Sequence, residues 1–172
     1  MFETQDILKQ VELRPGMIVA DLGAGSGFFT IPLAKKVGKT GLVYALDLVA
    51  ESLEIIEEKA KNEKLFNIET LVCDLEREKI KIKDEICDLV LLVNVLYLME
   101  NKEPVIKEIN RILKPNGKAI FIEWEPEKML FKTEIYPISK NDLQKTIEKN
   151  NFKKIKEFSP SQFHYGLIYE KI

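Results

Sequence analysis

Three short apolar runs, each with an aspartate at or near its end, constrain this chain more than any other feature. Residues 17–22 hold Asp21, residues 42–46 close at Asp47, and residues 68–73 close at Asp74. A glycine loop, Gly23-Ala24-Gly25-Ser26-Gly27, follows the first run, and segments with helical spacing of apolar residues separate all three. Strand, crossover helix and strand in alternation imply a mostly parallel sheet with helices on both faces.

The rest of the chain continues that order. Residues 2–11 read as a helix with Ile7, Leu8 and Val11 on one face. Residues 27–37 are helical and stop at Gly38. Residues 50–64 form an amphipathic helix with Leu53, Ile56 and Ala60 inward, and Glu57 and Lys61 at favourable i,i+4 spacing outside. Residues 76–85 are so charged that they read as a solvated loop. Residues 86–93 are apolar apart from Asp88, which suits a central strand buried on both faces. A helix over 102–113 ends at Lys114-Pro115-Asn116-Gly117, a strong stop, and a fifth strand spans 118–124. Residues 125–138 contain Pro126 and Pro137 and read as a loop or flap. Ser139 starts another helix, with Asp142 completing a capping box. Two last strands, 152–158 and 163–171, are joined by four residues, too few for a parallel crossover, so they form an antiparallel hairpin.

With 172 residues, 45% of them hydrophobic, the chain is the size of one globular domain. The whole of 1–172 reads as that domain, with 1–14 as an N-terminal helix and partial cap. Basic and acidic residues balance at 26 and 28, leaving no basic excess and disfavouring a nucleic-acid partner. No apolar run approaches the ~20 residues of a membrane span, and the polar, acidic start is unlike a signal peptide. Cys73 and Cys87 then read as buried free thiols in a reducing cytoplasm. Two isolated cysteines and the single histidine, His164, supply no structural zinc site.

The glycine loop and the acids point to a ligand. Glycines after a strand let a ligand press against bare backbone. Asp47 stands where a doubly wound fold places an acid for a ribose diol. Asp74, ending the next strand, is placed to accept from an exocyclic amine such as adenine N6. Asp21 repels a pyrophosphate but suits an ammonium or sulfonium. The dinucleotide fingerprint also wants a glycine where this chain has Phe28. A nucleoside with a ribose, an adenine and a cationic amino-acid tail satisfies all three acids, and that ligand is S-adenosylmethionine. Two alternatives stay open: a nicotinamide oxidoreductase, and a non-catalytic module that keeps the cofactor fold.

These segments resemble the class I S-adenosylmethionine-dependent methyltransferases of the small seven-stranded kind. Asp21-Leu22-Gly23-Ala24-Gly25-Ser26-Gly27 matches that family's first motif, Asp47 its ribose acid and Cys73-Asp74-Leu75 its adenine-flanking segment. Residues 88–94 resemble its fourth motif, and residues 111–118 resemble the helix stop before its fifth strand. The resemblance implies a sheet of order 3-2-1-4-5-7-6 with strand 7 antiparallel. It also implies a cofactor set of Asp21, Gly23, Ala24, Gly25, Gly27, Asp47, Leu48, Asp74, Leu75 and Asn94. Valine at Gly23 or Gly25 is expected to fill the ligand's volume. Asp47, at an open strand end, is expected to matter for binding and little for folding, unless it caps the helix near Ala50.

The reaction so implied is methyl transfer, with the protein mainly aligning the reactants. The family topology brings the start of strand 7 to the edge where strand 5 ends. His164, Glu123 and Tyr97 are therefore the candidate catalytic residues, near the substrate rim. Trp124, Met129, Phe131 and Tyr136 are candidates for an apolar lid. Asn94-Val95-Leu96-Tyr97 lacks the Asn-Pro-Pro-aromatic pattern of methylation at a base amino group, and there are too few cysteines for arsenic chemistry. A small molecule is the leading acceptor.

Overall fold

A computed structural model describes residues 3–129 and 135–172. The elements are α1 (Thr4–Leu8), β1 (Ile18–Leu22), α2 (Thr30–Val37), β2 (Leu42–Asp47), α3 (Ala50–Asn62), β3 (Ile68–Val72), β4 (Cys87–Val93), α4 (Glu103–Ile112), β5 (Leu113–Trp124), α5 (Lys140–Glu148), β6 (Phe152–Ser161) and β7 (His164–Lys171). Seven strands form one sheet in the order β3-β2-β1-β4-β5-β7-β6. β7 runs antiparallel to both β5 and β6, while the pairs from β3 across to β5 are parallel. The order and the inverted strand agree with the expectation from the sequence.

Alternation along each strand divides the core. Ala20, Leu22, Val90, Leu92 and Phe121 face α4 and α5, whose buried stripes include Val105, Ile109, Leu143 and Ile147. Val19, Leu89, Leu91, Ile120 and Ile122 face α1 and α2, and Ala45 packs against α3 through Leu53 and Ile56. β4 is apolar throughout because both of its faces are covered. Asp88, the exception, accepts from Ile18 N at 2.8 Å and from Lys114 Nζ at 2.7 Å, which ties the start of β1 to the turn before the β5 core.

Several segments differ from the sequence reading. α1 ends at Leu8 rather than residue 11, and α2 begins only at Thr30, because the preceding glycines take positive φ values that no helix continues from. The charged loop is not simply solvated: Ile80 and Ile82 are buried in the α4-side core. Pairing of β5 with β4 starts at Leu113, then jumps from Cys87 to Leu89 as Lys114–Gly117 bulge out, with Asn116 at φ 62. The hairpin is tighter than expected, since Ser161 already pairs with His164. Ser139 Oγ accepts from Asp142 N at 3.2 Å, but it donates to the Asp142 carboxylate in place of the reciprocal capping-box bond. In the proline-bearing stretch the structure shows a short 3₁₀ turn at Pro126–Lys128. Cys73 and Cys87 are buried free thiols. No helix among the described residues is long and apolar enough to cross a membrane.

Candidate functional site

The chain changes direction across the sheet between β1 and β4, so loops leaving their carboxyl ends diverge and open a crevice. The glycine loop forms one wall. Gly23 N and Ala24 N both donate to Leu46 O, at 2.7 and 2.8 Å, and Gly27 N donates to Ala24 O at 3.0 Å. Gly25 N donates to Asp47 Oδ2 at 2.7 Å, and Lys59 Nζ reaches over from α3 to Ser26 O at 2.6 Å. Four of the loop's N–H groups are thus used within the protein, where a pyrophosphate would need them free.

The loop's glycines serve different purposes. A Cβ on Gly23 would overlap the Val95 side chain, so that volume belongs to the protein and not to a ligand, contrary to expectation. A Cβ on Gly25 would meet nothing within 4 Å, so Gly25 is the position that opens onto the crevice.

Asp47 combines the two roles that the sequence left open. Its Oδ1 accepts from Val49 N at 2.9 Å at the head of α3, while Oδ2 holds Gly25. Each oxygen retains a lone pair for a further donor. Asp47 therefore also organises the loop before any ligand arrives, and the expectation that it contributes little to folding is corrected. Leu48 and Val49, just beyond it, and Phe28 across the loop are exposed apolar side chains on the same rim. Asp74 is already engaged: Oδ1 accepts from Glu76 N and Arg77 N, and Oδ2 lies 3.4 Å from Arg77 Nη1. Leu75, next to it, is buried.

Asp21 lies beneath the loop, 2% exposed, and accepts from Thr30 Oγ1 at 2.6 Å. Burial, with the Asp47 charge adding to it, pushes its carboxyl up to about 6 against the pull of Thr30.

The structure separates His164 from the other two catalytic candidates, Glu123 and Tyr97. His164 pairs with Trp124, and Tyr165 with Glu123, so the two strand ends do meet at one edge. Successive side chains alternate faces, however, and this puts His164 and Glu123 on opposite sides of the sheet. His164 is fixed by Ser161 Oγ at 2.8 Å from Nδ1 and by the Trp124 ring, 4.0 Å away between centroids. Burial pushes the imidazole below its ordinary range.

Glu123 points to the α4 side and is 1% exposed. Its Oε1 accepts from Val95 N at 2.8 Å and Leu96 N at 2.7 Å, capping the 3₁₀ turn Leu96–Leu98 from a neighbouring strand. Burial pushes the carboxyl up to about 7, opposed by those N–H groups and by Lys102. Tyr97 lies on that turn, and its phenol is raised by burial and by Glu123. Tyr97 O accepts from Tyr136 N at 2.7 Å, joining the turn to the far end of the flap. Of the proposed lid, Phe131 lies outside the described residues. Periodicity gave no sign that Glu123 would cap a turn 27 residues away; only its place at a strand's carboxyl end marked it.

Fold and site together define a doubly wound α/β domain with a crevice at its switch point. A family profile described as a methyltransferase domain matches residues 13–165, and the chain belongs to that family. It is 30% identical over 128 residues to the ubiquinone/menaquinone biosynthesis C-methyltransferase UbiE of Paraburkholderia phymatum, covering 72% of this chain and 51% of that protein. Its counterpart in Hydrogenovibrio crunogenus is 33% identical over 113 residues, covering 65% and 44%. The chain thus spans about half the length of these relatives. Among solved structures, a SAM-dependent methyltransferase from Aquifex aeolicus superposes with a TM-score of 0.87 at 24% identity, over 99% of this chain and 90% of that one. The cyclase SpnF superposes with a TM-score of 0.84 at 14% identity, over 98% and 79%, so the fold alone does not fix the chemistry.

Proposed function

We propose that this protein binds S-adenosylmethionine in the crevice over β1, β2 and β4 and transfers its methyl group to a small-molecule acceptor. The observation that carries this reading is the glycine loop itself: four of its N–H groups are consumed internally, while Asp21 and Asp47 flank it. A loop built this way offers a pyrophosphate few donors and is flanked by negative charge instead, which suits a cationic nucleoside. Asp47 is placed to receive the ribose hydroxyls through its unused lone pairs. Gly25 lets the ligand approach the backbone. Leu48 and Val49 offer apolar surface to the base. Asp74, tied to its own turn and to Arg77, is a weaker partner for an adenine amine than the sequence suggested. When bound, the cofactor supplies a methyl group on a sulfonium leaving group. The chain's part is to orient the acceptor against it and exclude water. The relatives named for ubiquinone and menaquinone biosynthesis support a small-molecule acceptor.

Thermal unfolding with S-adenosylmethionine, S-adenosylhomocysteine and NAD tests the reading. Both sulfur nucleosides should raise the melting temperature, equivalent to about 2.7 kcal/mol at 100 times the dissociation constant, and NAD should not. Asp47→Ala should weaken the nucleoside effect and also lower stability without ligand. A shift from NAD alone would overturn the proposal.

A further inference from the structure

One side-chain hydrogen bond joins the two ends of the glycine loop. Asp21 lies in the last turn of β1 and Thr30 opens α2. They are nine positions apart in the chain, and Thr30 Oγ1 donates to Asp21 Oδ2 at 2.6 Å. Both residues are shut away from solvent, Asp21 at 2% exposure and Thr30 at 0%. Other ties draw the loop elsewhere: Asp47 and Lys59 pull it toward β2 and α3, and Thr4 of α1 donates to Phe28 O at 3.5 Å. The Thr30 bond instead brings the loop's far end back to the strand it left.

Helix capping explains only part of this contact. Phe29, at the N-cap of α2, makes no side-chain cap bond, and the Thr30 backbone N–H donates to Asp21 in its place. Valine at position 30 would keep that N–H and nearly the same shape, so the cap does not call for a hydroxyl. The hydroxyl is a second donor to a buried carboxyl. Among the described residues, the charge that bears on Asp21 is another acid, Asp47 at the end of β2. A buried carboxylate with no cation beside it depends on its hydrogen bonds to stay ionised.

We infer that Thr30 is a positioning residue for the cofactor's positive charge: its hydroxyl keeps the Asp21 carboxyl fixed and ionised beneath the loop, so that the crevice favours the sulfonium nucleoside over the neutral thioether left after methyl transfer. The inference rests on the S-adenosylmethionine reading of the crevice. Asp21 acts here through its charge and needs no contact with the ligand, because a buried charge is weakly screened. S-adenosylmethionine carries one positive charge more than S-adenosylhomocysteine, so an ionised Asp21 holds the substrate form more tightly and lets the product form go.

Calorimetric titration of both nucleosides between pH 5 and pH 7.5 tests this on the unmodified protein, Thr30→Val and Thr30→Ser. In the unmodified protein, affinity for S-adenosylmethionine should fall as pH drops through about 6, where Asp21 takes up its proton, and affinity for S-adenosylhomocysteine should fall less. Thr30→Val should raise that midpoint by about one pH unit, the scale of one lost hydrogen bond to a charged group. At pH 6.5 it should then lose about threefold more affinity for S-adenosylmethionine than for S-adenosylhomocysteine. Thr30→Ser should restore both values. Equal losses for the two nucleosides with an unmoved midpoint in Thr30→Val would leave Thr30 a packing residue and overturn the inference. So would identical pH profiles for the two nucleosides in the unmodified protein, a result that decides the matter even if Thr30→Val does not fold. Failure of both nucleosides to bind the unmodified protein would instead overturn the cofactor reading. Carbon nuclear magnetic resonance of the Asp21 carboxyl, without ligand, would then still judge the hold of Thr30: an equal midpoint in the unmodified protein and Thr30→Val would overturn it.

Discussion

At the scale of residues, neighbours decide what apparently similar positions do. Gly23 and Gly25 are two residues apart, yet one meets Val95 and the other meets open space. Gly23→Ala should therefore lower stability, whereas Gly25→Ala should cost about 1 kcal/mol of backbone strain and at least tenfold in affinity for S-adenosylhomocysteine. Urea unfolding and calorimetry on both variants check this, and a reversed pattern would place the crevice elsewhere. Asp21 gives a pH signature. Its folded carboxyl sits at about 6, above its ordinary 3.8. The proton is bound more tightly in the folded chain, so this contribution is fully present below pH 4 and lost as pH rises through 6. The loss is about 3 kcal/mol, from 1.36 kcal/mol per pH unit of displacement. Asp21→Asn keeps an acceptor for Thr30 and should lose correspondingly less stability between pH 4 and pH 7.5 in denaturant titrations. Identical pH profiles would show that Asp21 is not a strained acid. The acids were legible in the sequence by position, but their hydrogen-bond partners were not, because Thr30, Gly25 and Val95 reach them only through folding.

At the scale of elements, the parallel strands were legible because each contains a short apolar run, and the helices because their apolar stripes keep a 3.6-residue period. The connection between β3 and β4 was not. Ile80 and Ile82 alternate with lysines, a pattern that reads as solvated unless something covers the isoleucines. The cover comes from α4. Arg111 donates to Ile80 O and Ile82 O, each at 2.8 Å, and pairs with Glu108 and Asp84. Ile80 N in turn donates to Glu108 Oε2 at 2.8 Å. Arg111→Ala removes the donor to those carbonyls and the cation paired with the part-buried Glu108 carboxylate, and should destabilise the protein by about 2–4 kcal/mol. Hydrogen exchange at the Ile80 amide should accelerate more than exchange in β1. Uniform acceleration across the sheet would mean that the loop is not separately held by Arg111.

At the scale of the whole molecule, the order of apolar runs, the short hairpin between the last two strands and the glycine loop determined the sheet's class and the end at which the crevice opens. They could do so because strand direction and crossover geometry follow from local chain properties: connection length, handedness and the freedom of glycine. Which face each strand-end residue serves was decided by the tertiary structure. His164 and Glu123 arrive at one edge, as topology required, but the alternation of β5 and β7 sends them to opposite sides of the sheet. A one-residue change of register between antiparallel strands would exchange those faces, and register is set by packing across the whole sheet. The same holds for Asn94 and Glu123, 29 residues apart in the chain and adjacent only because β4 and β5 pair in parallel at Val93 and Ile122. Local chemistry therefore determined which residue types stand at the strand ends, and long-range pairing alone decided which of them share a site.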